Sequence, residues 1–177
     1  MARQMFIDES KSTGLLLVGA CYDANDVALG RARLKELLLP GQERLHFLHE
    51  RDGRRRRILH VVTQKVSRVV VVQAETSLPP SRQRQLALSE LVSQAVRVGV
   101  SRMWIEQDDS VLTFDRKVMF EHSCVSGAPD SFSYGWLRPR QEPLLWAADG
   151  IAWAWARGGV WHDMVAERVE VIAVHVP

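Results

Sequence analysis

The chain has 177 residues, 46% of them hydrophobic and 25% charged, which is typical of a globular protein and too apolar for a disordered one. No apolar run approaches the roughly 18–20 residues that span a bilayer, and two cysteines, Cys21 and Cys124, exclude a disulfide scaffold or a cysteine-rich zinc site. The length and the net charge of +2 are those of an ordinary globular chain, and we expect a single domain over residues 1–177. Because acidic residues precede any signal-like hydrophobic run, we expect a cytoplasmic location and no membrane partner.

In the first half of the chain, apolar runs predict strands and apolar residues at helical spacing predict helices. The predicted elements are strands at 4–9 and 14–22, a helix at 26–39, a short strand or loop at 45–48, a helix at 52–66 and a strand at 67–74. Residues 10–13 suit a hairpin connection between the first two strands. Four consecutive valines, Val69–Val72, show no polar alternation, so we expect a central strand covered on both faces.

The second half of the chain continues the alternation of helices and strands. The predicted elements are a helix at 79–98, a strand at 101–106, a helix at 111–122, a loop at 125–131, a strand at 132–137, a helix at 142–157 and a strand at 169–176. This order predicts an α/β fold with a mixed central sheet flanked by helices. If the apolar last strand lay at a sheet edge, it could pair with another copy of the chain, so a homo-oligomer is one hypothesis.

Acidic residues stand at the ends of two predicted strands. Asp8 and Glu9 end the first strand, Glu106 ends the strand at 101–106, and Asp108 and Asp109 follow it. Two-metal phosphoryl chemistry needs carboxylates from separate elements, because hard Mg²⁺ or Mn²⁺ ions prefer oxygen ligands. These acids are therefore candidate ligands of such ions.

Asp149 is the most informative residue, because it lies within an otherwise apolar helical segment. A buried carboxylate protonates, pairs with a cation or binds a metal ion. Trp146 and Trp153, three residues before and four after, share its helix face. Two alternatives stay open for Asp149, a structural pair with Arg157 and a metal ligand.

Three segments, in this order, resemble the domain-of-unknown-function family 3800. They are FIDESKSTG, LHFLHERDGRRRRIL and PLLWAADGIAWAWARG, and together they span about residues 4–158. The first is similar to the family's aromatic-rich strand running into Asp-Glu-Ser-Gly, the second to its leucine–histidine pair before a basic helix, and the third to its closing Ala-Asp segment. The resemblance implies a ribonuclease H-like fold and a metal-dependent nuclease site.

The resemblance also implies roles for individual residues. Asp8 matches the first-strand acid with Glu9 as its neighbour, and Asp149 matches the late acid. His46 matches the histidine of the middle segment, while Glu106 matches the mid-sheet acid by position only, with the aspartates at 108 and 109 as alternatives. The implied catalytic residues are Asp8, Glu9, His46, Glu106 and Asp149. Of these, Asp8, Glu106 and Asp149 would hold one or two Mg²⁺ or Mn²⁺ ions.

Lys11 departs from the family's pattern, which usually has glycine at this position. Its ammonium would contact substrate phosphate or partly replace a metal ion. His46 would contact substrate or carry a proton, or it is an ordinary structural histidine. A zinc site is disfavoured, because His46, His49 and Glu50 match neither the His-Glu-x-x-His motif nor its inverted form.

The net charge conceals an uneven distribution along the chain. Residues 31–68 hold eleven Lys or Arg and four Asp or Glu, a local charge of +7, which leaves −5 on the remainder. Such a segment indicates a polyanionic partner, although a solvated helix face explains it equally well. Arg54–Arg57 occupy one helical turn, so one or two could face the carboxylates and bind phosphate. The predicted substrate-binding residues are Lys11, Arg54, Arg55, Arg56 and Arg57.

The sequence thus favours a metal-dependent nuclease that hydrolyses phosphodiester bonds in RNA or DNA by a two-metal-ion mechanism. The alternative is a catalytically degenerate ribonuclease H-like module that binds nucleic acid or protein. A small-molecule phosphohydrolase is less favoured, because the basic segment is longer than one phosphate requires. Five of the six tryptophans lie between Trp104 and Trp155, and one exposed near the site could stack on the bases of a single strand.

Overall fold

The computed structural model describes residues 2–12, 14–130 and 132–177, and within them the chain forms six strands, six α-helices and one 3₁₀ helix. The strands are β1 (Arg3–Ser10), β2 (Leu16–Asp23), β3 (Arg68–Ala74), β4 (Val100–Glu106), β5 (Ser133–Leu137) and β6 (Val171–Val176). The helices are α1 (Val27–Lys35), α2 (Asp52–Thr63), α3 (Pro80–Arg97), α4 (Leu112–Val125), α5 (Pro143–Arg157) and α6 (Val160–Ala166), and the 3₁₀ helix is Phe47–His49.

The strands form a single mixed sheet in the order β5-β4-β1-β2-β3-β6. Strand β2 runs antiparallel to both β1 and β3, whereas β1 with β4, β4 with β5 and β3 with β6 are parallel. Helices cover both faces of this sheet. The mixed central sheet flanked by helices that the sequence predicts is confirmed.

The covering of both faces is visible in the valines of β3. Val69 and Val71 pack in the core that β1 and β2 share with α1, α2 and α5, whereas Val70 and Val72 pack in the core shared with α3 and α4. Successive residues of a strand point to opposite faces, so an unbroken apolar run requires a cover on each side. The expectation of a central strand covered on both faces is therefore confirmed.

Helix α5 packs in the core that contains Val69 and Val71, and it carries the polar residue Asp149. Glu142 caps the helix by accepting a hydrogen bond from Leu144 N–H, and Pro143 occupies the first turn. A small residue lets the helix approach its neighbour closely: a Cβ atom built on Gly150 would lie 3.0 Å from the Phe47 ring. The helix ends at Gly158, whose φ of 73° is accessible to glycine with little cost.

Some predicted elements differ from those observed, and one observed helix was not predicted. Helix α1 ends at Lys35, four residues earlier than expected, and residues 47–49 form a 3₁₀ helix where a strand or loop was predicted. Helix α6 was not predicted, because its seven residues are too few to show a helical period. The hairpin connection predicted at 10–13 and the loop predicted at 125–131 include Thr13 and Ser131, which lie outside the described residues.

Strand β6 occupies one edge of the sheet, beside β3. This is the position that the homo-oligomer hypothesis requires of the last strand, and the hypothesis stays a prediction. No helix in the described part of the chain is long and apolar enough to cross a membrane.

Candidate active site

Three elements bring carboxylates to one edge of the sheet. Parallel pairing sets Ile7 of β1 opposite Ile105 of β4, so the next residues, Asp8 near the end of β1 and Glu106 at the end of β4, lie side by side. Asp8 lies on the same strand face as Phe6, and α5 packs against that face. Asp149 of α5 completes the group, and all three carboxylates line one cleft of about 680 Å³.

The three carboxylates hold their protons more tightly than isolated acids do. Burial, followed by repulsion from Glu106 and Asp149, raises the pKa of Asp8 well above its usual value. Burial and then the charge of Asp149 raise the pKa of Glu106 from 4.5 to about 7. Burial also raises the pKa of Asp149, although hydrogen bonding and nearby cations oppose this shift. The cleft therefore contains negative charge that the chain compensates only in part.

The donor set suits a hard divalent cation. It consists of carboxylate oxygens, which Mg²⁺ and Mn²⁺ prefer, and a cation among them would relieve the repulsion that raises their pKa values. Within residues 2–12, 14–130 and 132–177, however, no group of three or more His, Cys, Asp or Glu side chains is already spaced to hold a metal ion. The carboxylates are thus near enough to repel one another, but their side chains are not arranged to coordinate one ion together.

Asp149 is held by the backbone of the 3₁₀ helix. Its Oδ2 accepts a hydrogen bond of 2.9 Å from Phe47 N–H. Arg157 forms no ion pair with it among the described residues; this arginine is exposed and lines the same cleft. The interpretation of Asp149 as the structural partner of Arg157 is therefore wrong.

Glu9 also lines the cleft, but its carboxylate enters a network of ion pairs with cations on the α3 side of β1. It pairs with Arg84 of α3 and with the Lys11 ammonium, which lies 2.6 Å from its Oε1. Arg84 is buried and also donates to both oxygens of Asp115 on α4, at 2.6 and 2.7 Å. Burial lowers the pKa of Arg84, but the bonds to Asp115 and the charge of Glu9 outweigh this effect and raise it. The Glu9 carboxylate, unlike that of Asp8, is therefore already paired with cations.

Lys11 and the two aspartates after β4 lie at the rim of the site. Lys11 lines the cleft and is 3.9 Å from Asp108. Hydrogen bonds from Ser110 lower the pKa of Asp108, and Asp109 pairs with an exposed arginine at position 138. Neither aspartate lines the 680 Å³ cleft, whereas Glu106 does. The geometry therefore favours Glu106 over Asp108 and Asp109 as the mid-sheet acid.

His46 lines the cleft and lies close enough to Asp149 for its charge to lower the pKa of that carboxyl. Its ring stacks on His49 with 4.2 Å between the ring centres. The buried Nδ1 of His46 has no hydrogen-bond partner in the part of the chain that the structure describes.

The four consecutive arginines do not line the cleft, among the residues described. Arg54 pairs with Glu50 at 2.5 Å, and the guanidinium of Arg56 lies 4.9 Å from the centre of the Trp161 ring. Arg57 is exposed. The basic run of α2 therefore radiates around its helix as expected, and most of it belongs to the helix surface.

Arg55 contacts residues that line the cleft, although it does not line the cleft itself. Its guanidinium donates to the carbonyls of Phe47 and Leu48, at 3.0 and 2.6 Å, and lies 4.4 Å from the centre of the Trp153 ring. Both Leu48 and Trp153 line the cleft. Arg55 thus fixes one wall of the site.

Two cations of the cleft were missed from the sequence. Arg44 lines it and lowers the pKa values of Glu106 and Asp149, and Arg157 lines it from the last turn of α5. Arg44 lies two residues before His46, within the basic segment, which was a usable signal. Arg157 was singled out, but only as the partner of Asp149.

The fold and this site define an α/β protein with a mixed six-stranded sheet and a cluster of carboxylates in a cleft that cations also line. No protein-family model and no curated protein matches the chain. A chain in the solved structure of the PCNA:RNase HII complex from Archaeoglobus fulgidus is similar, with a TM-score of 0.49 and 17% sequence identity, over 86% of this chain and 70% of that one. So distant a likeness does not bear on function.

Proposed function

We propose that this protein is a metal-dependent nuclease that hydrolyses phosphodiester bonds in RNA or DNA by a two-metal-ion mechanism. The observation that carries the proposal is the convergence of carboxylates from β1, β4 and α5 in one cleft, beside the cations Lys11, Arg44 and Arg157. The resemblance of three segments to the domain-of-unknown-function family 3800 implies the same chemistry.

Asp8, Glu106 and Asp149 would hold one or two Mg²⁺ or Mn²⁺ ions. When bound, such ions activate water and stabilise the leaving oxygen of an in-line displacement. These residues come from β1, β4 and α5 respectively, so the packing of these elements sets the spacing of the three carboxylates. The Phe47 N–H bond keeps Asp149 oriented toward the cleft with one oxygen engaged.

The cations of the cleft bind the phosphate backbone in this proposal. Arg44 and Arg157 supply guanidinium groups, which bind phosphate oxygens through charge-assisted hydrogen bonds, and Lys11 supplies a point charge. They take the role that the sequence had assigned to Lys11 and Arg54–Arg57. His46, which lines the cleft, holds or moves a proton at the reacting phosphate.

The direct test is cleavage by the purified chain of labelled single-stranded RNA, single-stranded DNA, duplex RNA and an RNA–DNA hybrid, each with Mn²⁺ and with EDTA. We expect metal-dependent cleavage of at least one substrate and a loss of at least about 100-fold for Asp8→Asn and Asp149→Asn. The matched control is Asp163→Asn, an exposed acid on α6 that does not line the cleft, which keeps wild-type activity. The proposal fails if no substrate is cut, or if both cleft variants cut as well as wild type.

A degenerate binding module is the second candidate, and the Lys11–Glu9 ion pair favours it, because an ammonium beside the carboxylates competes with a metal ion. The two candidates differ in their response to Mn²⁺. A metal site stabilises the folded chain by about 2.7 kcal/mol when Mn²⁺ is present at 100 times its Kd, which thermal unfolding detects directly. A degenerate module binds oligonucleotides with steep salt dependence but gains no stability from Mn²⁺ and cuts nothing.

A further inference from the structure

We propose that the apolar wall of the cleft, formed by Leu48, Trp153 and Ala156, holds an unpaired nucleobase, so that the substrate is single-stranded nucleic acid. The inference rests on the proposed function, because it assigns the substrate class of the same site. Binding and hydrolysis are nevertheless separable by experiment.

The wall is apolar surface that the described residues leave uncovered. Leu48 is 60% exposed, although it is a large hydrophobic residue beside a cleft. Trp153 and Ala156 are half-buried and line the cleft with it. Apolar side chains grouped at a cleft, rather than scattered singly over the surface, mark a ligand contact.

The wall is rigid before any ligand arrives. The Arg55 guanidinium donates a hydrogen bond of 2.6 Å to the Leu48 carbonyl and also lies over the Trp153 ring. Phe47 and Trp161 lie against the same indole, each with 5.2 Å between ring centres. These contacts restrict the rotation of the indole. The Trp153 side chain therefore loses little conformational entropy when a planar group packs against it or against Leu48.

The surrounding charges identify the planar group. Lys11, Arg44 and Arg157 line the same cleft, where they can meet backbone phosphates, and an apolar stacking surface beside such cations is the combination that binds single-stranded nucleic acid. A duplex stacks its bases on one another and presents no free base face to the wall. The cleft volume of about 680 Å³ lies within the roughly 300–1,000 Å³ of small-ligand sites, which suits one unpaired nucleotide near the carboxylates.

The test measures binding by fluorescence anisotropy, with the full chain in EDTA so that no strand is cut. Three fluorescein-labelled probes are compared: a thymidine 10-mer, a 10-unit abasic strand with the same phosphates, and a 10-base-pair DNA duplex. Base stacking on an aromatic wall increases affinity by about 5- to 150-fold per base, so the thymidine strand binds at least about fivefold more tightly than either other probe. Equal or tighter binding of the abasic strand or the duplex overturns the inference.

Two variants locate the contact. Leu48→Ser lowers the affinity for the thymidine strand toward that for the abasic strand and leaves abasic binding unchanged, and Trp153→Leu does the same if it folds. Leu48 is exposed, so its substitution keeps the fold, which melting of each variant verifies. The matched control is Leu39→Ser, another exposed leucine, 47% accessible and outside the cleft, which binds all probes like wild type. Unchanged binding by Leu48→Ser overturns the inference.

The outcome is distinguishable from that of the nuclease proposal. Base-dependent binding through Leu48 without cleavage of any substrate refutes hydrolysis and supports the wall. Cleavage with no dependence on bases or on Leu48 supports hydrolysis and refutes the wall.

Discussion

The carboxyl cluster makes the stability of this protein fall as pH rises, and Glu106→Gln should remove part of that dependence. In the unfolded chain Glu106 ionises near its ordinary pKa of 4.5, whereas burial and the charge of Asp149 raise its pKa in the folded chain to about 7. The folded state therefore binds this proton more tightly. Its contribution to stability is fully present below pH 4.5 and is lost as the pH rises through 7.

The magnitude follows from that shift. One pKa unit corresponds to about 1.4 kcal/mol, so a change from 4.5 to about 7 sets an upper value of about 3 kcal/mol. Glu106 is partly accessible, and solvent screening reduces this to about 2 kcal/mol. The raised pKa values of Asp8 and Asp149 act in the same direction. Because the three groups titrate together, the loss belongs to the cluster rather than to Glu106 alone.

Urea unfolding followed by tryptophan fluorescence, at pH 5, 6, 7 and 8 in EDTA, measures the effect. The range avoids the acid region in which the lowered pKa of Asp108 would add an opposite dependence. Wild type loses about 2 kcal/mol or more between pH 5 and 8, and Glu106→Gln is more stable than wild type at pH 8 by about 1–2 kcal/mol, because a neutral amide ends the repulsion. Glu121→Gln, an exposed acid on α4, serves as control and follows wild type. Stability that is flat or rises over this range, or a Glu106→Gln variant no more stable than wild type at pH 8, would refute the reasoning.

Three further substitutions test the supports of the site. Arg84→Met leaves the Asp115 carboxylate, only 1% exposed, without its cation, so it lowers the free energy of unfolding in urea by about 3–5 kcal/mol. Combining Arg84→Met with Asp115→Leu restores much of this stability. An unchanged urea midpoint for the single variant contradicts the expectation. Gly150→Ala places a Cβ atom 3.0 Å from the Phe47 ring and lowers stability by about 1–3 kcal/mol, whereas a neutral effect shows that the ring moves freely. Arg55→Lys keeps the charge but cannot hold two carbonyls and the indole at once, so it weakens anisotropy-measured binding of the thymidine strand by about fivefold; wild-type binding excludes the supporting role.

Most of the fold could be read from the sequence, because its main signals are local. The Val69–Val72 run marked a doubly covered strand, and the small and apolar residues around Asp149 marked a helix packed closely on the sheet. Helix α6 could not be read in this way, since seven residues after two glycines carry too little periodicity. The strand ends were predicted well enough to place Asp8 within two residues of the end of β1 and Glu106 at the end of β4.

In the candidate site, too, the residues with a local signal could be predicted and the long-range pairings could not. A carboxylate in an apolar helix, or at the end of an apolar strand, is conspicuous in any single sequence, because burying such a group requires compensation. The pairing of Glu9 with Arg84 was not visible, since it depends on β1 presenting successive side chains to opposite faces and on α3 lying against one of them.

The sequence by itself determined the elements, their α/β order and the acids of interest, because periodicity, turns and the cost of a buried charge are encoded within a few residues. Only the tertiary structure decided which cations share the cleft. It selected Arg44 and Arg157 rather than Arg54–Arg57, and it set Leu48 beside Trp153. The reason is geometric: a run of four arginines points in every direction around its helix, and only the docking of α2, α5 and the 3₁₀ helix on the sheet determines which side chains meet.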